Sequence, residues 1–299
     1  MENIDTKQLD SEELVNRRLE ELIDFRTDGQ DLQEFWGKQY DLGLAWVQFP
    51  EGSGGLGLNP KYQMIITERL RSEGISQQNR IANILGVGMG APTIIEYGTP
   101  EQIQKYLKPM FTAEEIWCQL FSEPGSGSDL ASLSTKAVDD GDGYIVNGQK
   151  VWTTLGHLAK WGLLVTRTDP NAPKHRGLTF FIVDMESVGV EVRPLRQITG
   201  EAEFNEVYFT DTKIPKENIL GGLGEGWRVS LATLMNERAV NDKVASPYFT
   251  QNQIASFGEG TDWQNEIFRS APLQNYSLTF SGGNDKTKYS IGGSWFDQK

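Results

Sequence analysis

The pattern of apolar residues changes abruptly near Ile116, and this change limits the folds that the chain can adopt. Before it, apolar residues recur at helical spacing over the runs 62–70 and 81–97. After it, short runs rich in β-branched and aromatic residues are separated by Gly, Asp, Asn and Pro, a pattern typical of β-strands. The sequence therefore predicts a helical domain followed by a β domain.

Capping residues support the helical part. Asn59 and Thr99 each precede a proline, which favours a helix start because Asn and Thr cap the first turn and proline fits the first helical position. Gln102 completes a capping box with Thr99, and Asp10 forms another with Glu13. An apolar stripe follows the second box, formed by Leu14, Arg18 or Leu19, Leu22 and Ile23. We expect residues 1–115 to be all helical.

Six β-rich runs follow, at 116–122, 144–154, 161–168, 178–183, 190–192 and 204–209. Within the second run, Asn147-Gly148 predicts a two-residue hairpin turn. We expect residues 116–222 to form a compact antiparallel barrel or sandwich.

Helical spacing returns at about residue 224 and ends near residue 240, carried by Trp227, Leu231, Leu234, Met235 and Arg238. We expect 223–243 to be the first helix of a further helical bundle. The pattern then changes again, because residues 274–281 and 288–296 alternate as two strands joined by GGNDKT. The predicted class is α+β, with a β-rich tail over 244–299.

Composition excludes several classes of function. The 299 residues are 38% hydrophobic, which is enough to build two or more domains. A net charge of −13 disfavours nucleic-acid binding, and one cysteine with two histidines leaves no disulfide or His-rich metal site. We expect Cys118 to be a buried small hydrophobe. The polar N-terminus and the lack of a long apolar run predict a cytoplasmic protein without a signal peptide or membrane helix.

The segment SEPGSGSDLAS, residues 122–132, is followed sixteen residues later by GQKVWTT. Glycine lets a backbone approach a flat or phosphorylated ligand closely, and Ser122, Ser126 and Ser128 add hydroxyl donors. Trp152 adds a large ring next to the hydroxyls of Thr153 and Thr154. The two segments predict a site for an aromatic, phosphate-bearing cofactor. The alternatives are turn residues with local backbone bonds and ordinary core packing of Trp152.

Residues from 1 to about 240 closely resemble the acyl-CoA dehydrogenase family. Besides these two segments, HRGLTFFIVD, GVEVRPL and FNEVYFTDTKIPKENILGG follow in the family's order. The resemblance implies a helical domain, a β domain and a C-terminal four-helix bundle, with FAD between the last two, usually in a homotetramer. It also implies oxidation of an acyl-CoA to a trans-2-enoyl-CoA, with electrons passing to an electron-transfer flavoprotein.

The same resemblance assigns site residues. It places flavin contacts at Leu120, Phe121, Ser122, Gly127, Ser128, Trp152, Thr153 and Thr154. The backbone of 120–122 and the Ser122 hydroxyl would contact the flavin ring, and Trp152 would cover one face. Ser128 would lie near the pyrophosphate and the substrate thioester, and Thr154 near the nitrogen that accepts hydride.

The resemblance also suggests a catalytic base. Many members use a glutamate deep in the bundle, whereas the isovaleryl and long-chain branches use one on the bundle's first helix, directly before an arginine. Glu237 precedes Arg238 in this way, which makes Glu237 the candidate base and Arg238 a CoA- or flavin-side contact. Met235 stands where many members have a substrate-holding aspartate. A surface carboxylate and a surface ion pair are the alternatives for Glu237 and Arg238.

Residues 246–299 resemble instead a segment of SusC-type TonB-linked outer-membrane receptors, through GTDWQNEIFR, APLQNYSLTFSGG and YSIGGSWFDQ. We expect a fusion of two unrelated fragments; a divergent dehydrogenase tail is the alternative. A dehydrogenase lacking its bundle would leave the apolar stripe of the 227–240 helix without partner helices, weaken flavin binding and make oligomerisation doubtful. A non-catalytic flavin- or CoA-binding remnant and an outer-membrane receptor fragment are the competing hypotheses.

Overall fold

The computed structural model describes residues 11–244, 273–283 and 288–298. The chain divides into two compact units, Met1–Val244 and Ala245–Lys299.

The first unit begins with helices, as the sequence predicts. They are α1 (Ser11–Asp24), α2 (Leu32–Asp41), α3 (Tyr62–Ser72), α4 (Gln78–Ala82), a π-helical turn (Gly86–Gly90), α5 (Ala91–Tyr97) and α6 (Pro100–Phe111). The capping box of α6 is confirmed, since Thr99 and Gln102 exchange both side-chain-to-backbone hydrogen bonds. Asp10 lies outside the described residues, so the capping box of α1 stays a prediction. The buried face of α1 consists of Val15, Leu19 and Leu22.

The run 81–97 is not one continuous helix, because Asn83 interrupts it. Asn83 is buried, and its Oδ1 accepts a hydrogen bond of 2.9 Å from the backbone N–H of Trp117. Its Nδ2 donates to the carbonyl oxygens of Met110 and Glu115 at 2.8 and 2.9 Å. These three bonds connect the helices to the start of the sheet, and they outweigh the local helical pattern.

Seven strands form one curled sheet. They are β1 (Trp117–Leu120), β2 (Lys136–Asp139), β3 (Gly143–Thr154), β4 (Trp161–Arg167), β5 (Leu178–Asp184), β6 (Val190–Leu195) and β7 (Phe204–Pro215). The order is β1-β4-β2-β3-β7-β6, and β5 also pairs with β4. β1 pairs with the first half of β4 and β2 with its last residue, whereas β5 pairs along its whole length. The expectation of a purely antiparallel barrel or sandwich is corrected, because β1 and β2 both run parallel to β4.

The predicted hairpin turn at Asn147-Gly148 is wrong, because both residues lie inside β3. The register between β3 and β7 shifts there, and a Cβ on Gly148 would lie 2.3 Å from Oγ1 of Thr135. The absence of a side chain at Gly148 therefore lets β3 lie close to Thr135, the residue before β2. The real turn, between β2 and β3, contains Gly141 at φ +100°, and Oδ1 of Asp139 accepts the Gly141 N–H at 2.8 Å.

The sheet is buried on both faces along β4 and β5, which explains their nearly continuous apolar sequences. Leu163 and Val165 pack with the helices, whereas Leu164 packs in a second cluster on the opposite face. Cys118 belongs to this second cluster and is a buried free thiol, as predicted.

Helix α7 (Gly226–Val244) follows the sheet. Val229 and Thr233 are fully buried, and the hydroxyl oxygens of Thr233 and Thr93 lie 3.1 Å apart. This face packs against α5, the π-helical turn and β5. The expectation that the apolar stripe of this helix lies exposed is wrong for Trp227 and Leu234, which are partly buried and pack against the core of the helical domain. Leu231 and Met235 lie outside this contact and are 44% and 61% exposed.

The second unit contains β8 (Leu273–Gly283) and β9 (Lys288–Gln298), which pair antiparallel in continuous register. The two strands predicted there are confirmed, while the resemblance to outer-membrane receptors stays a prediction. Among the described residues, no helix combines the length and the apolar character needed to cross a bilayer.

Candidate functional site

The loop between β1 and β2, residues 121–135, is held by its own hydrogen bonds. Glu123 and Ser126 exchange backbone bonds of 2.8 and 3.0 Å. The Ser126 hydroxyl donates to the carbonyl oxygen of Asp129 at 2.7 Å, and so does that of Ser132 at 2.8 Å. Ser126 is therefore used inside the loop and is buried, whereas Gly127 and Ser128 lie exposed at its tip.

Arg167, at the end of β4, supports this loop from the sheet. Its Nη2 donates to the carbonyl oxygen of Ala131 at 2.6 Å, and its Nε donates to that of Leu133 at 3.2 Å. Nη1 reaches the carbonyl oxygen of Lys174 at 3.4 Å, and Lys174 forms an ion pair with Asp129 at 2.9 Å. Sequence reasoning missed Arg167, because nothing local marks a strand-end arginine as the partner of a distant loop.

A buried ion pair joins the loop to β3. Lys150 Nζ lies 2.8 Å from Oε1 of Glu123, and the two side chains are 0% and 4% exposed. Burial alone would raise the pKa of Glu123, but the charge of Lys150 and the hydrogen bonds to the carboxylate hold that pKa at about 2. Burial lowers the pKa of Lys150 to about 8, against the opposing effect of Glu123. Both groups are charged at neutral pH.

A β-bulge follows Lys150 directly. Lys150 faces Val207 and Thr153 faces Asn205, so Val151 and Trp152 together face one residue of β7. The backbone N–H of Val151 donates to the carbonyl oxygen of Ser122 at 2.9 Å.

Trp152 itself is strained and exposed. Its φ is +61°, a conformation that costs about 1 kcal/mol or more for a residue with a side chain. The side chain is 63% exposed and meets the ring of Phe204 edge-on at 6.1 Å. The core-packing alternative for Trp152 is therefore wrong. Strain that presents a large ring to solvent is typical of a ligand-binding position.

The predicted cofactor residues separate into two groups. The side chains of Leu120, Phe121 and Thr153 are buried, so these residues offer only backbone atoms to a ligand. Ser122 and Thr154 are half-buried. The Val151–Ser122 hydrogen bond brings the Ser122 segment beside the bulge that carries Trp152. An exposed ring flanked by accessible hydroxyls and a glycine-containing loop fits a planar, phosphate-bearing ligand.

The turn after β3 contains a second feature that sequence reasoning missed. Leu155 has φ +57°, and the buried Asn205 donates to the carbonyl oxygen of Thr153 at 3.0 Å. Nδ1 of His157 lies 3.3 Å from the same amide nitrogen. Asn205 thus fixes the turn that ends the Trp152–Thr154 segment.

The candidate base Glu237 lies on α7 and is half-buried. Among the described residues, no hydrogen bond or ion pair joins it to Trp152 or to the 121–135 loop. The α7 helix is linked to the β4–β5 connection, where the rings of Trp227 and His175 lie 4.7 Å apart. The side chain of Arg238 lies outside the described residues.

Comparison with known families agrees with this arrangement. Residues 10–114 match the N-terminal domain of acyl-CoA dehydrogenases, and residues 118–212 match the middle domain. The chain contains the N-terminal and middle domains of the acyl-CoA dehydrogenase family. Homologues in this family are FAD-dependent oxidoreductases, and the helical domain followed by a β domain is confirmed as this family's arrangement.

Curated relatives and solved structures give the extent of the likeness. Acyl-CoA dehydrogenase FadE34 of Mycobacterium tuberculosis is 46% identical over 198 residues, which is 66% of this chain and 27% of that protein. IpdE1 of the same organism is 42% identical over 199 residues, covering 67% and 51%. An acyl-CoA dehydrogenase from Geobacillus kaustophilus superposes with a TM-score of 0.58 at 33% identity, covering 78% of this chain and 64% of that one. The chain thus spans about half or less of the length of these two curated relatives.

Proposed function

We propose that this chain provides the flavin-binding β domain of an FAD-dependent acyl-CoA dehydrogenase. The exposed, strained Trp152 at the bulge beside Ser122 is the observation that carries this proposal. A flavin ring is flat and apolar on its faces, and an indole held open to solvent by the backbone is a suitable surface for it.

Each flavin-side residue has a distinct role in this proposal. Trp152 covers one face of the ring, and the hydroxyls of Ser122 and Thr154 donate to its polar edge. The backbone of 120–122 and of Thr153 completes the contact, since those side chains are buried. Gly127 and Ser128 receive the pyrophosphate at the exposed loop tip. FAD, when bound there, supplies the acceptor for the hydride that leaves Cβ of the substrate.

The chain's own groups would handle the proton and the thioester. A proton next to a thioester is weakly acidic, so a base must remove it while hydrogen-bond donors stabilise the charge on the carbonyl oxygen. The Glu237 carboxylate is the proposed base and takes the Cα proton. Ser128 contacts the substrate near its thioester, and Arg238 contacts the CoA moiety. The product is the trans-2-enoyl-CoA.

The proposed partners follow from this chemistry. The substrate is an acyl-CoA, and an electron-transfer flavoprotein removes the electrons. The assembled enzyme is a homo-oligomer, as the resemblance implies. A second candidate is a chain that binds flavin or CoA weakly without turnover. The exposure of the apolar residues Leu231 and Met235 on α7 favours it, because further bundle helices would cover such residues.

A visible spectrum separates these candidates. The purified chain is incubated with FAD, freed of unbound flavin, and mixed with acyl-CoAs of several chain lengths without oxygen. Flavin absorbance that bleaches on addition supports the dehydrogenase. Bound flavin that does not bleach supports the non-catalytic candidate, and a colourless protein contradicts both flavin-binding proposals.

The base is tested by Glu237→Gln, with Glu225→Gln as the matched control. Glu225 immediately precedes α7 and forms an exposed ion pair with Arg228. Slower bleaching in Glu237→Gln alone supports the assignment. Bleaching at the parent rate in both variants shows that Glu237 is not the base.

A further inference from the structure

Lys150 and Glu123 have no part in the proposed chemistry, yet both are buried as charged groups. Removing two charges from water is costly, and well-packed apolar residues usually stabilise a core at least as well. The pair also lies at a particular position, since Glu123 follows Ser122 directly and Lys150 precedes the Val151–Trp152 bulge. General stability therefore does not explain why a charged pair occupies this place.

The hydrogen bonds of the pair hold both ends of the 121–135 loop. Lys150 Nζ donates to the carbonyl oxygen of Phe121 at 3.0 Å. Glu123 accepts the backbone N–H groups of Ser134 and Thr135 at 2.6 and 2.9 Å, and the Ser134 hydroxyl at 2.7 Å. One residue of β3 thus connects the start of the loop to its end.

We propose that Lys150 and Glu123 are positioning residues that hold the Ser122 backbone and the Trp152 ring at the separation a flavin requires. The Val151 N–H and the Ser122 carbonyl form the direct link. The ion pair joins their chain neighbours, Lys150 before Val151 and Glu123 after Ser122. The inference rests on the proposed flavin binding. Neither side chain touches the ligand, because both are buried in the domain.

The test uses Lys150→Met and Glu123→Gln, which remove one charge each. Ser134→Ala is a milder third variant, because Ser134 is exposed and loses only its hydroxyl bond to Glu123. Val183→Ala is the control, since it removes buried apolar atoms from β5 and no hydrogen bond to the loop. Amide hydrogen exchange of 121–135 is measured without flavin, and FAD affinity and residual flavin fluorescence are measured with it.

We expect faster amide exchange in the loop for Lys150→Met, Glu123→Gln and Ser134→Ala, with the smallest increase in Ser134→Ala. We also expect FAD binding weakened about tenfold or more in Lys150→Met and Glu123→Gln, with flavin fluorescence less quenched. Val183→Ala lowers the melting temperature but leaves the fluorescence of bound flavin unchanged. A merely structural pair would make the charge variants resemble Val183→Ala.

Two results overturn the inference. The first is amide exchange of the loop at the parent rate in Ser134→Ala and in whichever charge variant folds. That result would show that the ion pair does not hold the loop, whether or not the chain binds flavin. The second is a variant whose loop exchanges faster but which binds FAD as tightly as the parent. That result would show that the ion pair does not position the flavin site. A parent chain that binds no FAD contradicts the proposed function instead, and the exchange data then report separately on the ion pair.

Discussion

The backbone N–H of Val151 donates a hydrogen bond of 2.9 Å to the carbonyl oxygen of Ser122. This bond ties the start of the 121–135 loop to β3. The bulge lies at the same place, because Val151 and Trp152 together face one residue of β7, and the side chain of Trp152 is exposed there. The hydrogen bond therefore joins the two sequence motifs beside the exposed ring.

Backbone strain at Trp152 predicts an unusual order of stability. Glycine adopts φ +61° freely, whereas alanine pays a steric penalty there. We expect Trp152→Gly to be more stable than Trp152→Ala by about 1 kcal/mol, the reverse of the usual order in a strand. Urea unfolding of the two variants measures the difference. Alanine as the more stable replacement would show that the bulge relaxes in the variants.

The low pKa of Glu123 predicts an acid-sensitive contribution to stability. Its pKa is about 2 in the folded protein against 4.5 ordinarily, so the folded state favours the ionised carboxylate. This contribution is complete above pH 4.5 and is lost as the pH falls towards 2. We expect the stability gap between parent and Glu123→Gln to narrow over this range in denaturant titrations. Glu191→Gln, which breaks an exposed pair with Arg193, serves as the control with a small gap throughout.

Arg167 predicts a difference between two basic side chains. Its guanidinium group reaches the carbonyl oxygens of Ala131 and Leu133 together, a geometry that an ammonium group does not reproduce. We expect Arg167→Lys to lose about 1–3 kcal/mol of stability and to increase proteolysis within 121–135. The midpoint of chemical unfolding and the cleavage sites check this. If Arg167→Lys matches the parent in unfolding midpoint and in cleavage sites, contacts other than those of Arg167 hold the 121–135 loop.

Two glycines predict opposite tolerance of alanine. A Cβ at Gly148 would lie 2.3 Å from Thr135 Oγ1, whereas a Cβ at Gly125 would meet nothing within 4 Å. We expect Gly148→Ala to cost about 1–3 kcal/mol and Gly125→Ala to leave the melting temperature nearly unchanged. Thermal unfolding of the pair gives the answer. Equal effects would mean that β2 and β3 do not approach each other as closely as described.

Much of the fold follows from local sequence signals. The Thr99–Gln102 capping box and the apolar runs of β4 and β5 depend on short-range chemistry, and the structure confirms them. Asn147-Gly148 predicted a turn because that dipeptide suits one. The dipeptide lies inside β3 instead, where Asn147 faces two residues of β7. Thr135, twelve residues before Asn147, lies too close for any side chain at Gly148, which explains the glycine without a turn.

The site was predictable in part, for similar reasons. Trp152 and Ser122 were recognisable from their motifs, whereas their support was not. Lys150 meets Glu123 and Arg167 meets Ala131 only after the sheet has formed. β2 escaped notice because four residues carry little periodicity. Such long-range pairings leave no local trace in one sequence.

Flavin binding at Trp152 is measured by titrating FAD into the purified chain, with Trp152→Ala and Gly125→Ala measured in parallel. We expect saturable binding, with flavin fluorescence quenched in the parent and in Gly125→Ala. We expect weaker binding and brighter flavin in Trp152→Ala. A parent that leaves the flavin unbound, or a Trp152→Ala variant that binds and quenches it equally well, would show that Trp152 does not form a flavin site.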